Sequence, residues 1–322
     1  MRIFLQSASL RRHVGPAVMG ICLLWACGPE TPASYTQSAP DRSVNPRPAL
    51  DMGPDVPPKP ITETDSGFTA GDPCNAWADI PDQRLLAELH NELHNDYNPI
   101  AAQPDLGGNP NRYTTARRIM FTEVERYQAR DGSYVVECVY TGNTATAPRT
   151  DDPDRDFINC EHVLPRARMA NEEGQPIVYS HQQSDIHNLM PTTPGSNSTR
   201  GSLRYGDVVN ERNLDHLPSM SGENASGDLV WQPRAERRGD VARITFYMAA
   251  RWGIEIPGTE EDVLRRWNRL DPPDDRERLR NERIEGHQGN RNPFIDCSSL
   301  VDRIDDFISF AANDRENTLP AP

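Results

Sequence analysis

Lysine is almost missing from this chain: Lys59 is the one lysine among 322 residues, so nearly all of the 34 basic side chains are arginine. A guanidinium presents a planar fork that pairs bidentately with carboxylates and phosphates, where an ammonium acts as a point charge. Acids outnumber bases, 48 to 34, for a formal charge of −14. Taken alone that argues against a polyanionic partner, although net charge is a poor guide to a local field. Long apolar runs are also lacking. The stretch Ala17 to Ala26 is too short to span a bilayer as a permanent helix. No two of the cysteines Cys74, Cys138, Cys160 and Cys297 are closely spaced, which disfavours a zinc site of the paired-cysteine type. No internal repeat is present.

What is there begins with a targeting segment, residues 1–26. Arg2, Arg11, Arg12 and His13 form a basic start to the apolar stretch. It ends Leu24-Trp25-Ala26-Cys27-Gly28, which resembles a bacterial lipoprotein signal with an acylatable Cys27. An ordinary secretory signal is the alternative, and both predict export. Residues 27–72 are rich in proline but contain only Tyr35 and Phe68 as aromatics, so they bury too little apolar surface to offset chain entropy. They read as an extended tether. The folded part is expected over 73–322. Four cysteines in an exported domain imply two disulfides with three possible pairings. The preferred one joins Cys138 to Cys160 and Cys74 to Cys297.

Ile80, Leu85, Leu86, Leu89 and Leu93 recur at helical spacing and predict an opening helix over Ala76 to Tyr97. His90 and His94 lie four apart on it. With the acid misplaced for a zinc-protease motif, they read as exposed histidines. A short helix is expected over Thr114 to Phe121. Tyr134 to Tyr140 reads as a strand, and Phe157 to Cys160 as a second one delivering Glu161 and His162 at its end. Residues 166–184 read as loop. A helix is expected from Ser196, with Ser196 or Asn197 as its cap. Strand, strand and helix make a ββα arrangement in an α+β fold. Further helices are expected over Val241 to Trp252, from a Thr259 capping box to Leu270, over Arg276 to Ile284, and over Ser299 to Ala312.

Residues 160–200 concentrate the chemistry. Cys160-Glu161-His162-Val163-Leu164-Pro165 is followed by Asp185-Ile186-His187-Asn188-Leu189-Met190-Pro191, then Asn197 and Arg200. Phosphodiester hydrolysis needs a nucleophile made from water, neutralisation of charge at phosphorus, and help for the departing oxygen. His162, titrating near neutrality, suits the first task. Glu161 and Asn197 offer hard oxygen ligands suited to Mg²⁺, with Ca²⁺ or Mn²⁺ as substitutes. Arg200 offers a fork for a phosphate. Asp185, His187 and Asn188 read as buttresses of the site.

The ordered motifs resemble the bacterial endonuclease I family of secreted, nonspecific nucleases. Glu161-His162-Val163-Leu164-Pro165, Asp185 to Pro191 and Asn197-Ser198-Thr199-Arg200 match its pattern, as do Val139-Tyr140-Thr141-Gly142, Tyr205-Gly206-Asp207, Arg238 to Arg243 and Gln288 to Asp296. The resemblance implies a ββα-metal (His-Me finger) core surrounded by helices and hydrolysis of DNA and often RNA. It implies His162 as general base, and a single Mg²⁺-type ion on Glu161 and Asn197. Gly201 stands where the family has Ser, and Cys297 where it has His. The arginine that contacts the scissile phosphate lies in a variable stretch, leaving Arg200, Arg166 and Arg168 as candidates. The expected protein is a monomeric nuclease, lipid-anchored at the outer membrane or cell surface or secreted. The alternative is a catalytically silent surface lipoprotein that binds nucleic acid or a partner.

Overall fold

Fourteen consecutive residues, Gly239 to Trp252, are buried in helix α5 (Arg238–Trp252), which therefore packs on every side, as a helix does at the centre of a core. It stops at Gly253, whose left-handed φ of 63° a side chain would resist. In this computed structural model the described residues are 71–97, 112–129, 131–147 and 153–307. All fall within one compact unit, 48–322. The signal segment 1–26 and the tether 27–70 expected from the sequence lie outside the described residues.

Around α5 pack α1 (Asp82–Asp96) and α6 (Gly258–Leu270). Leu85, Leu89 and Leu93 bury the inward face of α1. α6 turns Leu264 and Trp267 inward. α7 (Asp275–Gln288), α8 (Pro293–Asp296) and α9 (Leu300–Arg303) follow, and α2 (Arg112–Ile119) runs into a wider π turn over Met120–Val124. Among the described residues no helix is long and apolar enough to cross a membrane.

Three small sheets complete the α+β fold. β1 (Tyr127–Gln128), β2 (Tyr134–Glu137) and β3 (Thr144–Thr146) form an antiparallel meander. β4 (Asn159–His162) pairs antiparallel with β5 (Leu189–Thr192), Glu161 opposite Met190 and His162 opposite Leu189. β6 (Arg204–Tyr205), β7 (Asn210–Asn213), β8 (Met220–Glu223) and β9 (Leu229–Gln232) form a sheet ordered β6-β9-β8-β7. Between β4 and β5 lies α3 (Pro176–Ser184), and after β5 comes α4 (Pro194–Arg200).

Several expectations are corrected. The strand beside the histidine strand is β5, whereas Tyr134–Glu137 pairs with β1 and β3. The supposed loop 166–184 contains α3, hidden because it buries polar side chains, His181, Gln182 and Ser184. Thr193 caps α4 by accepting from the Ser196 N–H, in place of Ser196 or Asn197. No side chain caps α6, which starts after Pro257. The opening helix starts at Asp82, not Ala76. The last one spans Leu300–Arg303 within the described residues, and 308–312 lie outside them. His90 and His94 are half-buried: their Nδ1 atoms lie 3.0 Å from the Ala250 carbonyl and 3.3 Å from Arg251 Nη1.

Cys74 and Cys297 form a disulfide with Cα atoms 5.1 Å apart, as expected. Cys138 and Cys160 do not. Cys138 Sγ accepts the Thr193 N–H at 3.2 Å and lies 3.8 Å from Thr192 Oγ1. Thr192 is paired with Asn159, so strand alternation turns Cys160 to the opposite face. The two thiols are both buried and unbridged.

Candidate active site

β4, the loop after it and α4 wall a cavity of about 430 Å³ lined by Tyr113, Glu161, His162, Arg166, Asn197 and Arg200, among others. The β4–β5 pair sets Glu161 and His162 at a strand end, and α4 returns across it. Asn197 in α4 donates from Nδ2 to the Cys160 carbonyl at 3.1 Å. That bond fixes the amide and leaves its Oδ1 as the remaining acceptor.

His162 is held by one bond, from Nε2 to the Gln183 carbonyl at 2.9 Å. A carbonyl only accepts, so the proton sits on Nε2 and the lone pair on Nδ1. Burial, opposed by the Gln183 bond and aided by Arg166 and Arg200, holds its pKa down at about 4, so the ring is neutral at neutral pH. The Tyr113 ring lies against it at 5.1 Å between centroids.

Glu161 is buried, and its Oε1 accepts the Tyr140 hydroxyl at 2.7 Å and pairs with Arg200 Nη1 at 3.0 Å. Both contacts fall on one oxygen, which leaves Oε2 for the cavity. Burial raises the pKa of Glu161, while Arg200 and Tyr140 oppose the rise.

Arg200 is 1% exposed, and its guanidinium is committed inward. Besides Glu161, it donates to the carbonyls of His162 at 3.1 Å and Val163 at 2.6 Å. The two terminal nitrogens of the expected phosphate fork are therefore bonded to the protein, while its buried Nε has no partner. Arg168 is likewise engaged, with Glu260 at 2.8 Å and the Glu255 carbonyl at 2.8 Å. Arg166 is exposed at the cavity, steadied by the Tyr179 hydroxyl at 2.9 Å and Gln183 Oε1 at 3.2 Å.

Behind this layer, Asp185 caps the turn Ile186–Asn188 by accepting from the His187 N–H. It also accepts from Tyr247, Trp252 and Gln288. Asn188 exchanges two bonds with Leu164, at 2.7 and 3.0 Å, and so fixes the chain after His162. His187 Nε2 donates to the Asn290 carbonyl at 3.1 Å. None of the three lines the cavity.

The sequence reading missed Tyr113, Gln183 and Tyr140. Tyr140 stood in a quoted motif without a role. Gln183 contributes a backbone carbonyl, which no residue type announces. Among the described residues no three His, Cys, Asp or Glu side chains cluster to hold a metal. Glu161 Oε2 and Asn197 Oδ1 form the sparse oxygen set that suits Mg²⁺, an ion that keeps several waters and binds through few protein ligands.

A strand-borne histidine, a buried carboxylate and an amide thus line one cavity. The model of the Endonuclease I family matches residues 89–299, and the chain belongs to that family. It is 39% identical over 139 residues to an extracellular ribonuclease of Bacillus amyloliquefaciens, covering 38% of this chain and 46% of that protein. Over 150 residues it is 28% identical to a periplasmic deoxyribonuclease of Aeromonas hydrophila, covering 43% and 63%. An endonuclease-1 of Buchnera aphidicola is 28% identical over 152 residues, covering 43% and 59%. The chain thus spans about half to three-fifths of the length of these relatives.

Proposed function

We propose that this protein is a metal-dependent, sequence-nonspecific endonuclease that hydrolyses phosphodiester bonds in DNA and in RNA. The observation that carries the reading is the His162 tautomer: Nε2 is occupied by the Gln183 carbonyl, so a neutral Nδ1 serves as the base in a cavity that also holds Glu161 and Asn197. Relatives named as ribonucleases and as deoxyribonucleases support a nucleic-acid substrate of either sugar.

His162 takes a proton from water as the water attacks phosphorus. Glu161 Oε2 and Asn197 Oδ1 would hold a Mg²⁺-type ion, which when bound neutralises charge on the phosphate and on the leaving oxygen. Arg166, with donors at the cavity mouth, grips a phosphate oxygen. Arg200 holds Glu161 in place and opposes the rise that burial gives its pKa. Asp185, His187 and Asn188 fix the backbone on which these groups stand. The names of relatives as extracellular or periplasmic enzymes support export; the lipoprotein-type motif Leu24 to Gly28 is what supports Cys27 as the lipid-anchored residue.

The test is plasmid cleavage by the purified protein. Mg²⁺ should support it and EDTA should stop it. His162→Ala should lower the rate by about 10²–10⁴-fold while the thermal midpoint is kept. A variant that cleaves like the wild type would overturn the assignment of the base.

A further inference from the structure

A single hydrogen bond does not fix an imidazole. With Nε2 tied to the Gln183 carbonyl, the His162 ring can still rock about that bond and swing Nδ1 away from the cavity. Something must hold its face, and one aromatic ring is in place to do so. Tyr113, near the start of α2, lies with its centroid 5.1 Å from the His162 ring and its plane tilted 31° from it. Tyr113 and Cys160, two residues before His162 on β4, line the same cavity. The Arg166 guanidinium carbon lies 5.9 Å from the same ring. Tyr113 is thus flanked by both the base and the exposed cavity arginine. α3 holds the same two groups from another side, through Gln183 and Tyr179. Offset aromatic contact of this kind is directional, which ordinary apolar packing is not.

We propose that Tyr113 is a positioning residue of the reaction: its ring face, packed on His162 and beside Arg166, holds Nδ1 of the base toward the attacking water. The proposal rests on the reading of His162 as the base. The ring, not the hydroxyl, carries the role.

Tyr113→Ala should lower kcat by about 10- to 100-fold, the range expected when a reacting group is misplaced by about an ångström. KM for plasmid DNA should change far less. Tyr113→Phe should restore most of the lost rate. Should the alanine variant fold poorly, Tyr113→Leu keeps the bulk without the ring and is expected to share its low kcat. Two further readouts do not depend on turnover. Imidazole ¹H–¹⁵N spectra should show the Nε2-protonated tautomer in all four proteins, with His162 ring signals sharp in the wild type and Tyr113→Phe but exchange-broadened in Tyr113→Ala and Tyr113→Leu. Calorimetric titration with Mg²⁺ alone should give the same affinity in all four proteins. An unchanged kcat in the alanine and leucine variants, equal loss in the phenylalanine variant, or a collapse of Mg²⁺ affinity would each overturn the proposal. A wild-type protein that shows no Mg²⁺-dependent cleavage would instead remove the reading on which it rests.

Discussion

Arg200 and Arg166 show how one residue type divides into two tasks within a single cavity wall. Arg200 spends the donors of its two terminal nitrogens on Glu161 and on two carbonyls of the chain that follows. Arg166 reaches the mouth on two neutral partners, Tyr179 and Gln183. Arg166→Ala should therefore raise KM for DNA and flatten its dependence on salt, because a phosphate contact releases counterions. Arg200→Met should leave that salt slope intact while weakening Mg²⁺ binding, since Glu161 loses its partner and stays buried. It should also destabilise the fold by about 3–5 kcal/mol, as removing one side of a buried ion pair does. Calorimetry and salt-dependent KM separate the two. That Glu161, His162 and Asn197 share one cavity was legible in the sequence because their motifs are short and local. The split between the arginines was not legible, since it depends on which way each guanidinium points.

At the scale of elements, the forked donors of arginine are put to use at the junction of β2, α5 and α7. Glu137 at the end of β2 is met by Arg234, by Arg237 at 3.4 Å and by Arg276 at 3.1 Å. Arg243 in α5 grips Glu277 in α7 through Nε and Nη2. Forked donors suit such crowded, buried pairings and an ammonium does not. Burial would raise the pKa of Glu137, but Arg276, Arg234 and Arg237 outweigh it and hold the carboxyl at about 2, below its ordinary 4.5. A depressed carboxyl contributes stability that is complete above about pH 4.5 and is lost as pH falls through about 2, worth ~3 kcal/mol here. Urea unfolding between pH 5 and pH 2 should show this acid limb, and Glu137→Gln should remove it while lowering stability at pH 7. The helices α1, α5, α6 and α7 were legible from spacing, although α1 starts later than expected and α6 lacks the expected cap. α3 was not, because its buried face is polar. The β6–β9 sheet also escaped, its strands short and β7 largely exposed, with no alternation to read.

Across the whole molecule, Cys74 and Cys297 close a loop of 223 residues in sequence separation. In the chain-entropy account, cross-links over so long a loop stabilise by up to about 5 kcal/mol, by restricting the unfolded chain. Cys74→Ser should accordingly lower the thermal midpoint, and reductant should lower the wild type to the same level without further effect on the variant. A variant with wild-type stability would show that packing alone holds the ends. Both cysteine positions were visible in the sequence, and so was this pairing. The second pairing failed because strand alternation points Cys138 and Cys160 to different faces, a matter of register that spacing does not disclose.

That clasp bears on where the protein is dangerous. In a reducing cytosol the two thiols stay apart, and the chain lacks the cross-link joining its first turn to its last helices. An oxidising compartment supplies it. A nuclease of the kind proposed, assembled in this order, would reach full sturdiness only beyond the membrane that encloses its maker's genome, and the redox state of the compartment would then act as a safeguard for the host.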